Sequence, residues 1–228
     1  MLKLYVGNKN YSSWSMRPWV LMRQAGIDFE EIPVRFDSFA PGSDFKRALA
    51  QVSPTGKVPV LVDGDTTVWD TLAIAEYLAE THPDARLWPQ ERAARAQARS
   101  AAAEMHSGFA ALRGAFPMNI EARLPEVGAL ALRDRPGVQA DLQRLVQLWD
   151  GLLARHGGPM LFGHFTVADA FYAPVCMRLI TYQPEGLSEA SAAYVQRVAD
   201  LPGVRDWIAG ALLEHDFRPF EEPYRLRR

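Results

Sequence analysis

The sequence predicts two halves of different class: an α/β half over residues 1–81 and an all-α half over 93–228. Three observations carry this. Strand-prone and helix-prone runs alternate through the first half, and strand signals stop in the second. Between them, residues 82–92 set Pro83 and Pro89 among charged side chains and read as a linker.

"LKLYV" (2–6) is a short β-prone run. The stretch 17–26, "RPWVLMRQAG", has Pro18 near its start, where a helix tolerates it, and Gly26 at its end. "DFEEIPVRF" (28–36) alternates apolar and polar residues as a half-buried strand does. A short helix over 43–51 follows, then two apolar runs around an Asp63-Gly64 turn in 57–69. A helix over 70–82 closes this half, with Leu72, Ala75, Tyr77, Leu78 and Ala79 mostly to one side. The first half therefore reads βαβ followed by αββα. In the second, Ala98, Ala102, Met105, Phe109 and Leu112 recur at helical spacing and predict one long amphipathic helix. Val138, Leu142, Leu145, Trp149 and Leu152 predict another, with further helices at about 167–180, 188–199 and 204–215. In "FTVADA", Thr166 precedes Asp169 by three residues, a capping box with Asp in the place of Glu that fixes where a buried helix starts.

Composition excludes several functions. With 25 basic against 27 acidic residues the formal charge is −2, so no global field favours nucleic acid or a membrane surface. The opening lacks the apolar stretch of a signal peptide and no segment has bilayer-spanning length, so a cytoplasmic protein is expected. Cys176 is the single cysteine, inside "FYAPVCMRLI", which reads as a buried helix. The five His are scattered without ligand spacing, and no metal site is expected.

Three short motifs carry chemistry. "NYSSWSMRPW" (10–19) gathers Ser12, Ser13 and Ser15 where a helix begins. A helix N-terminus presents unpaired N–H groups and the positive end of a dipole, which favour an anion such as a thiolate. Such an environment lowers a thiol from its ordinary pKa of about 8.5, and a serine hydroxyl there donates to sulfur without reacting. No neighbouring His or Lys supplies the base a nucleophilic serine needs; the plain alternative is that the serines only cap the helix. In "TGKVPVL", Pro59 opens a strand without an N–H to give, which suggests an edge or a cis turn and leaves the Val58 main chain free to pair with an extended peptide. In "WDTLAIAEYL", Asp70 and Thr71 at a helix start can hold an ammonium and a carboxylate respectively.

Taken in order, these motifs resemble the glutathione site of the soluble glutathione transferases, over the whole chain, and "SSWS" is similar to the "SSCS" run of the zeta class, which includes maleylacetoacetate isomerases. The resemblance implies a thioredoxin-like glutathione-binding domain followed by a helical-bundle substrate-binding domain, with glutathione as co-substrate, a small electrophilic substrate and a homodimer. It implies Ser12 as the thiolate stabiliser, with Ser13 and Ser15 as competitors, and Lys57, Val58, Pro59, Asp70 and Thr71 as glutathione ligands. Trp14, Arg17, His106, Phe109 and Arg113, with Phe116 lining, are expected at the electrophile, Arg17 favouring anionic substrates. Tyr5 and Tyr11 are alternative hydroxyl donors. Trp14 stands where the zeta run has Cys, and Asp70 is one methylene shorter than the family's usual Glu, which weighs against strict isomerase activity. Without a cysteine in the turn, thiol-disulfide exchange is not expected. The expected activity is thiolate attack on a soft electrophile, the alternatives being glutathione-dependent cis-trans isomerisation, dehalogenation, or a non-catalytic protein-contact module of the same fold.

Overall fold

Alternation along β1 (Leu2–Val6) puts Leu2, Leu4 and Val6 on one buried face and leaves Lys3 in solvent, in a computed structural model that describes residues 1–228. β1 pairs in parallel with β2 (Phe29–Pro33), and the crossover this demands is α1 (Ser13–Gln24). On its other side β1 runs antiparallel to β3 (Val60–Asp63), Leu4 opposite Leu61. A two-residue turn with Gly64 at φ +55° leads into β4 (Thr66–Trp69), giving a sheet in the order β2-β1-β3-β4. The short α2 (Asp44–Leu49) and then α3 (Thr71–Thr81) complete this half.

The remainder is helical: α4 (Arg92–Ser107), α5 (Ala110–Ala115), α6 (Pro125–Asp134), α7 (Pro136–His156), α8 (Val167–Tyr182), α9 (Glu189–Ala199) and α10 (Pro202–Glu214). No helix is long and apolar enough to cross a membrane. One continuous buried cluster joins Leu4, Met16 and Val20 of the sheet half to Phe171, Tyr172 and Trp207 of the helical half. The intervening segment takes part in it, for Leu87 and Trp88 are buried and the Leu87 carbonyl accepts from the Val167 amide at 2.9 Å.

Three expectations are corrected. α1 starts at Ser13, among the serines, so Pro18 stands inside the helix and not near its start, and leaves the Trp14 carbonyl without its usual donor. The single helix drawn through Ala98 to Leu112 is two: Phe109 sits at φ +55°, and a Cβ on Gly108 would lie 2.7 Å from the Glu104 carbonyl oxygen. The chain turns there, although the apolar spacing continues across the break. α6 escaped the sequence reading because its contact with α8 is made by Gly128, which adds nothing to an apolar pattern; a Cβ there would fall 1.9 Å from the Tyr182 carbonyl oxygen.

α8 is the axis of the helical half, buried along nearly its whole length. Its start is fixed by the capping box, and Asp169 does more than cap. Its carboxylate accepts from the amides of Thr166 (2.8 Å) and Leu161 (3.1 Å) and from the Tyr194 hydroxyl (3.0 Å), tying α8, the preceding loop and α9 to one point. Beyond α10 the chain returns across the β1–α1 loop. Glu214 accepts from the Lys9 amide at 2.7 Å, and Glu222 accepts from the Tyr11 hydroxyl at 2.8 Å and Asn119 at 2.9 Å.

Candidate functional site

Two cavities meet where α1 begins. The larger, about 660 Å³, opens between the halves and is lined by Ser12, Ser13, Trp14, Lys57 and Val58 on the sheet side and by Arg113, Pro117, Met118 and Arg178 on the helical side. The second, about 330 Å³, shares Trp14, Lys57 and Val58 with it and continues past Pro59 to Asp70 and Thr71. Together they make an elongated groove with a hydroxyl-rich middle, one end at Asp70 and the other open toward α5 and α8.

The three serines differ sharply. Ser12 stands at the N-cap of α1 but makes no side-chain cap; its hydroxyl donates to Ser15 Oγ at 2.7 Å. Ser15 is wholly buried and also accepts from the Gly7 amide at 3.0 Å, so it braces the turn and does not reach the groove. Ser13 lines the larger cavity, and its oxygen accepts from Arg178 Nη2 at 3.2 Å, leaving its own proton free. The amides of Trp14 and Ser15 have no backbone acceptor, the usual state of a first helical turn and a favourable place for an anion.

Val58 precedes a cis peptide bond to Pro59, and β3 begins only at Val60, so the Val58 main chain takes no part in the ladder and faces the groove. Lys57 is exposed beside it, and Lys46 reaches the same cavity from α2 while donating to the Gly56 carbonyl at 2.7 Å. Asp70 caps α3 by accepting from the Leu72 amide at 2.8 Å, with φ at +75°, a conformation costing a non-glycine residue about 1–3 kcal/mol. Thr71 is buried next to it. His106, expected at the electrophile, instead stands over this end: its Nε2 lies 3.2 Å from Asp70 Oδ2 and its Nδ1 3.4 Å from Thr71 Oγ1.

At the other end the expected apolar lining is not brought to the groove. Phe109 and Phe116 are core residues, packed on Tyr172 and Tyr182 respectively. The aromatic wall is made by Phe36, Phe39 and Phe45, which stack edge to face beside α2. Of the two tyrosines only Tyr11 lines the larger cavity. Tyr5 stands in β1, and Tyr11 is committed to Glu222 and pushed up to about 12, chiefly by burial. Glu221, from the returning tail, lines the larger cavity, and burial with the nearby Glu222 raises its carboxyl. Sequence reading also missed Arg178; its signal was a lone guanidinium inside the apolar "FYAPVCMRLI".

Arg17 does not line either cavity. It is 2% exposed behind Trp14, its guanidinium 4.2 Å from the indole centroid and 4.9 Å from the Phe171 ring, and its Nε and Nη1 have no partner. Burial pushes it down to about 9, with repulsion from Arg113 and Arg178 adding to the effect. Arg178 is pushed down to about 10 by the same two causes, burial and Arg113. It donates to the Phe116 and Pro174 carbonyls and to Ser13, all neutral acceptors.

Comparison with known proteins places the chain in one family. A glutathione S-transferase zeta class protein from Euphorbia esula is 29% identical over 79% of this chain and 76% of its own length. Maleylacetoacetate isomerase from Rattus norvegicus is 33% identical over 48% of this chain and 50% of its own. Among solved structures, a glutathione transferase homologue from Burkholderia with bound glutathione superposes with a TM-score of 0.67, at 26% identity over 92% of this chain and 97% of that one. The models for the N-terminal domain of glutathione S-transferases match residues 11–81 and for the C-terminal domain residues 93–210, and the chain belongs to the glutathione S-transferase family.

Proposed function

We propose that the protein binds glutathione along the groove, holds its sulfur as a thiolate at the N-terminus of α1, and directs it at a small electrophile entering between α5 and α8. The observation that supports this most is the meeting of the two cavities at Trp14, Lys57 and Val58, with Ser13 beside them in the larger one. A tripeptide laid there has its cysteinyl main chain at Val58, its γ-glutamyl ammonium and carboxylate at Asp70 and Thr71, and its glycyl carboxylate toward Lys46 and Lys57. No metal or redox group is required, because the thiolate itself attacks the electrophilic carbon and the leaving group or added double bond takes the displaced electron pair.

Ser13 ranks ahead of Ser12 in this reading, reversing the order the resemblance gave. Ser13 keeps a free proton, polarised by Arg178, whereas Ser12 must give up its bond to Ser15, worth about 0.5–1.5 kcal/mol, before it can donate to sulfur. Attack on a double bond, rotation and expulsion of the thiol would instead give cis-trans isomerisation, a reading favoured by the isomerase relative and opposed by Trp14 in place of a thiol. Turnover of an activated aryl halide, set beside turnover of a cis-configured maleyl diene, separates the two. Conjugation with the halide and little isomerisation is the expected result; isomerisation alone would overturn it.

A homodimer fits the face made by β4 and α3. Trp69 is 46% exposed there and borders an apolar groove with Val68, Leu72 and Ala73. Sedimentation at micromolar concentration should give twice the chain mass, and a monomer would remove the assignment. A cytoplasmic site of action agrees with this soluble-substrate chemistry.

A further inference from the structure

Three guanidiniums crowd the start of α1 with no ion pair to a carboxylate, Asp70 acting on Arg17 only from a distance. Arg17 from α1 and Arg113 from α5 both lie over the Trp14 indole, at 4.2 and 5.1 Å from its centroid, and Arg178 from α8 touches Ser13. Arg113 donates only to the carbonyls of His106 and Gly108. Two of the three are buried, and Arg17 has two unpartnered nitrogens, an arrangement that costs stability unless a negative charge is gained nearby. The other ionisable groups facing this cluster are Asp70 at the head of α3, already shared with His106 of α4, and Tyr172 and Tyr182 of α8, whose hydroxyls donate to the Ala101 and Pro117 carbonyls respectively. Tyr11, Lys46, Lys57 and Glu221 face the cavity from the β1–α1 loop, α2, the Val58 loop and the tail respectively.

We propose that Arg17, Arg113 and Arg178 are positioning residues whose joint positive field holds bound glutathione as its thiolate, Arg178 acting through the Ser13 hydroxyl and Arg17 from behind Trp14. This rests on the glutathione reading above and deepens it. On binding, the thiol proton leaves to water while the sulfur keeps its electron pair, and the field of the guanidiniums favours the charged form. Arg17 cannot serve as a direct ligand of an anionic electrophile, because Trp14 covers it. Its low-dielectric setting strengthens its effect on a charge forming on the far side of that ring. The strain of keeping an unpaired cation buried is then offset only in the liganded enzyme.

The test is the pKa of bound glutathione, followed by thiolate absorbance and by proton release in titration calorimetry, in the wild type and in Arg17→Met, Arg178→Met, Arg178→Lys and Arg113→Gln. Both methionine variants should raise the bound-thiol pKa by about one unit or more, roughly tenfold less thiolate at neutral pH. Arg178→Lys should restore most of the effect, and Arg113→Gln, at a half-buried site that tolerates change, should show a smaller rise. Arg17→Met should also melt higher than the wild type, since it removes an unpaired buried charge. The kcat for a neutral electrophile should fall at neutral pH and recover at higher pH, with its KM little changed. An unchanged thiol pKa, whether or not KM for an anionic electrophile rises, would overturn the proposal and leave the arginines to substrate binding or packing. Failure of the wild type to bind glutathione at all would instead overturn the functional reading beneath it.

Discussion

Removing both hydroxyls at the mouth of α1, as Ser12→Ala with Ser13→Ala, should lower kcat/KM for conjugation by roughly 100-fold to 1,000-fold. In the proposed mechanism each hydroxyl donates to sulfur and neither acts as a nucleophile, since no base stands beside it. The loss should fall on kcat at neutral pH and leave glutathione affinity within a few-fold, because in the proposed binding mode Val58, Lys57, Asp70 and Thr71 hold the peptide independently of its thiol. The single variants should divide unequally. Ser13→Ala leaves Arg178 Nη2 without its acceptor and removes the free proton, whereas Ser12→Ala mainly unpins Ser15. Steady-state kinetics across pH would check this: the double variant should regain activity as pH rises toward the free thiol pKa of about 8.5. An activity independent of both substitutions would remove the serines from the mechanism.

Asp169→Ala should cost about 3–5 kcal/mol of folding stability, the toll of leaving several buried partners without their acceptor. The alanine would orphan the amides of Leu161 and Thr166 and the Tyr194 hydroxyl, all at a fully buried point where water cannot substitute. Because whole domains are stable by only about 5–15 kcal/mol, soluble yield should drop and the urea midpoint should move well down. Asp169→Asn keeps one carbonyl oxygen and should lose less. Equal midpoints for wild type and Asp169→Ala would show that α9 and the loop before α8 are held by packing alone. The residue lies far from the groove in role: activity per folded molecule should be unchanged.

Much of this architecture was legible in the chain because it is written in periodicity. The β-prone run "LKLYV" and the helical spacing from Val138 to Leu152 each become the element they imply. The capping box was readable because its two partners are three residues apart, so no tertiary knowledge is needed. What failed depended on backbone events that side-chain patterns do not record. The turn at Gly108 and Phe109 interrupts an apolar stripe without interrupting its spacing, and Gly128 makes its contact by having no side chain. The serine turn, the Val58 loop and the Asp70-Thr71 step were each visible as short motifs, since local geometry sets them. The opposite wall was not. Phe36, Phe39 and Phe45 come from a loop and a short helix, Arg178 from the middle of an apolar helix, and Glu221 from the tail, and only the fold brings them to one cavity. Charge inside "FYAPVCMRLI" was the one available hint, because an arginine survives in such a run only with a buried partner or a task.

The measurement that bears most directly on the central claim is titration calorimetry of glutathione into the wild-type chain at neutral pH, with thiolate absorbance followed alongside. The account predicts saturable binding, release of a proton, and a bound-thiol pKa below the free value of about 8.5. No binding at millimolar glutathione, or binding that leaves the thiol pKa where it is in solution, would contradict it.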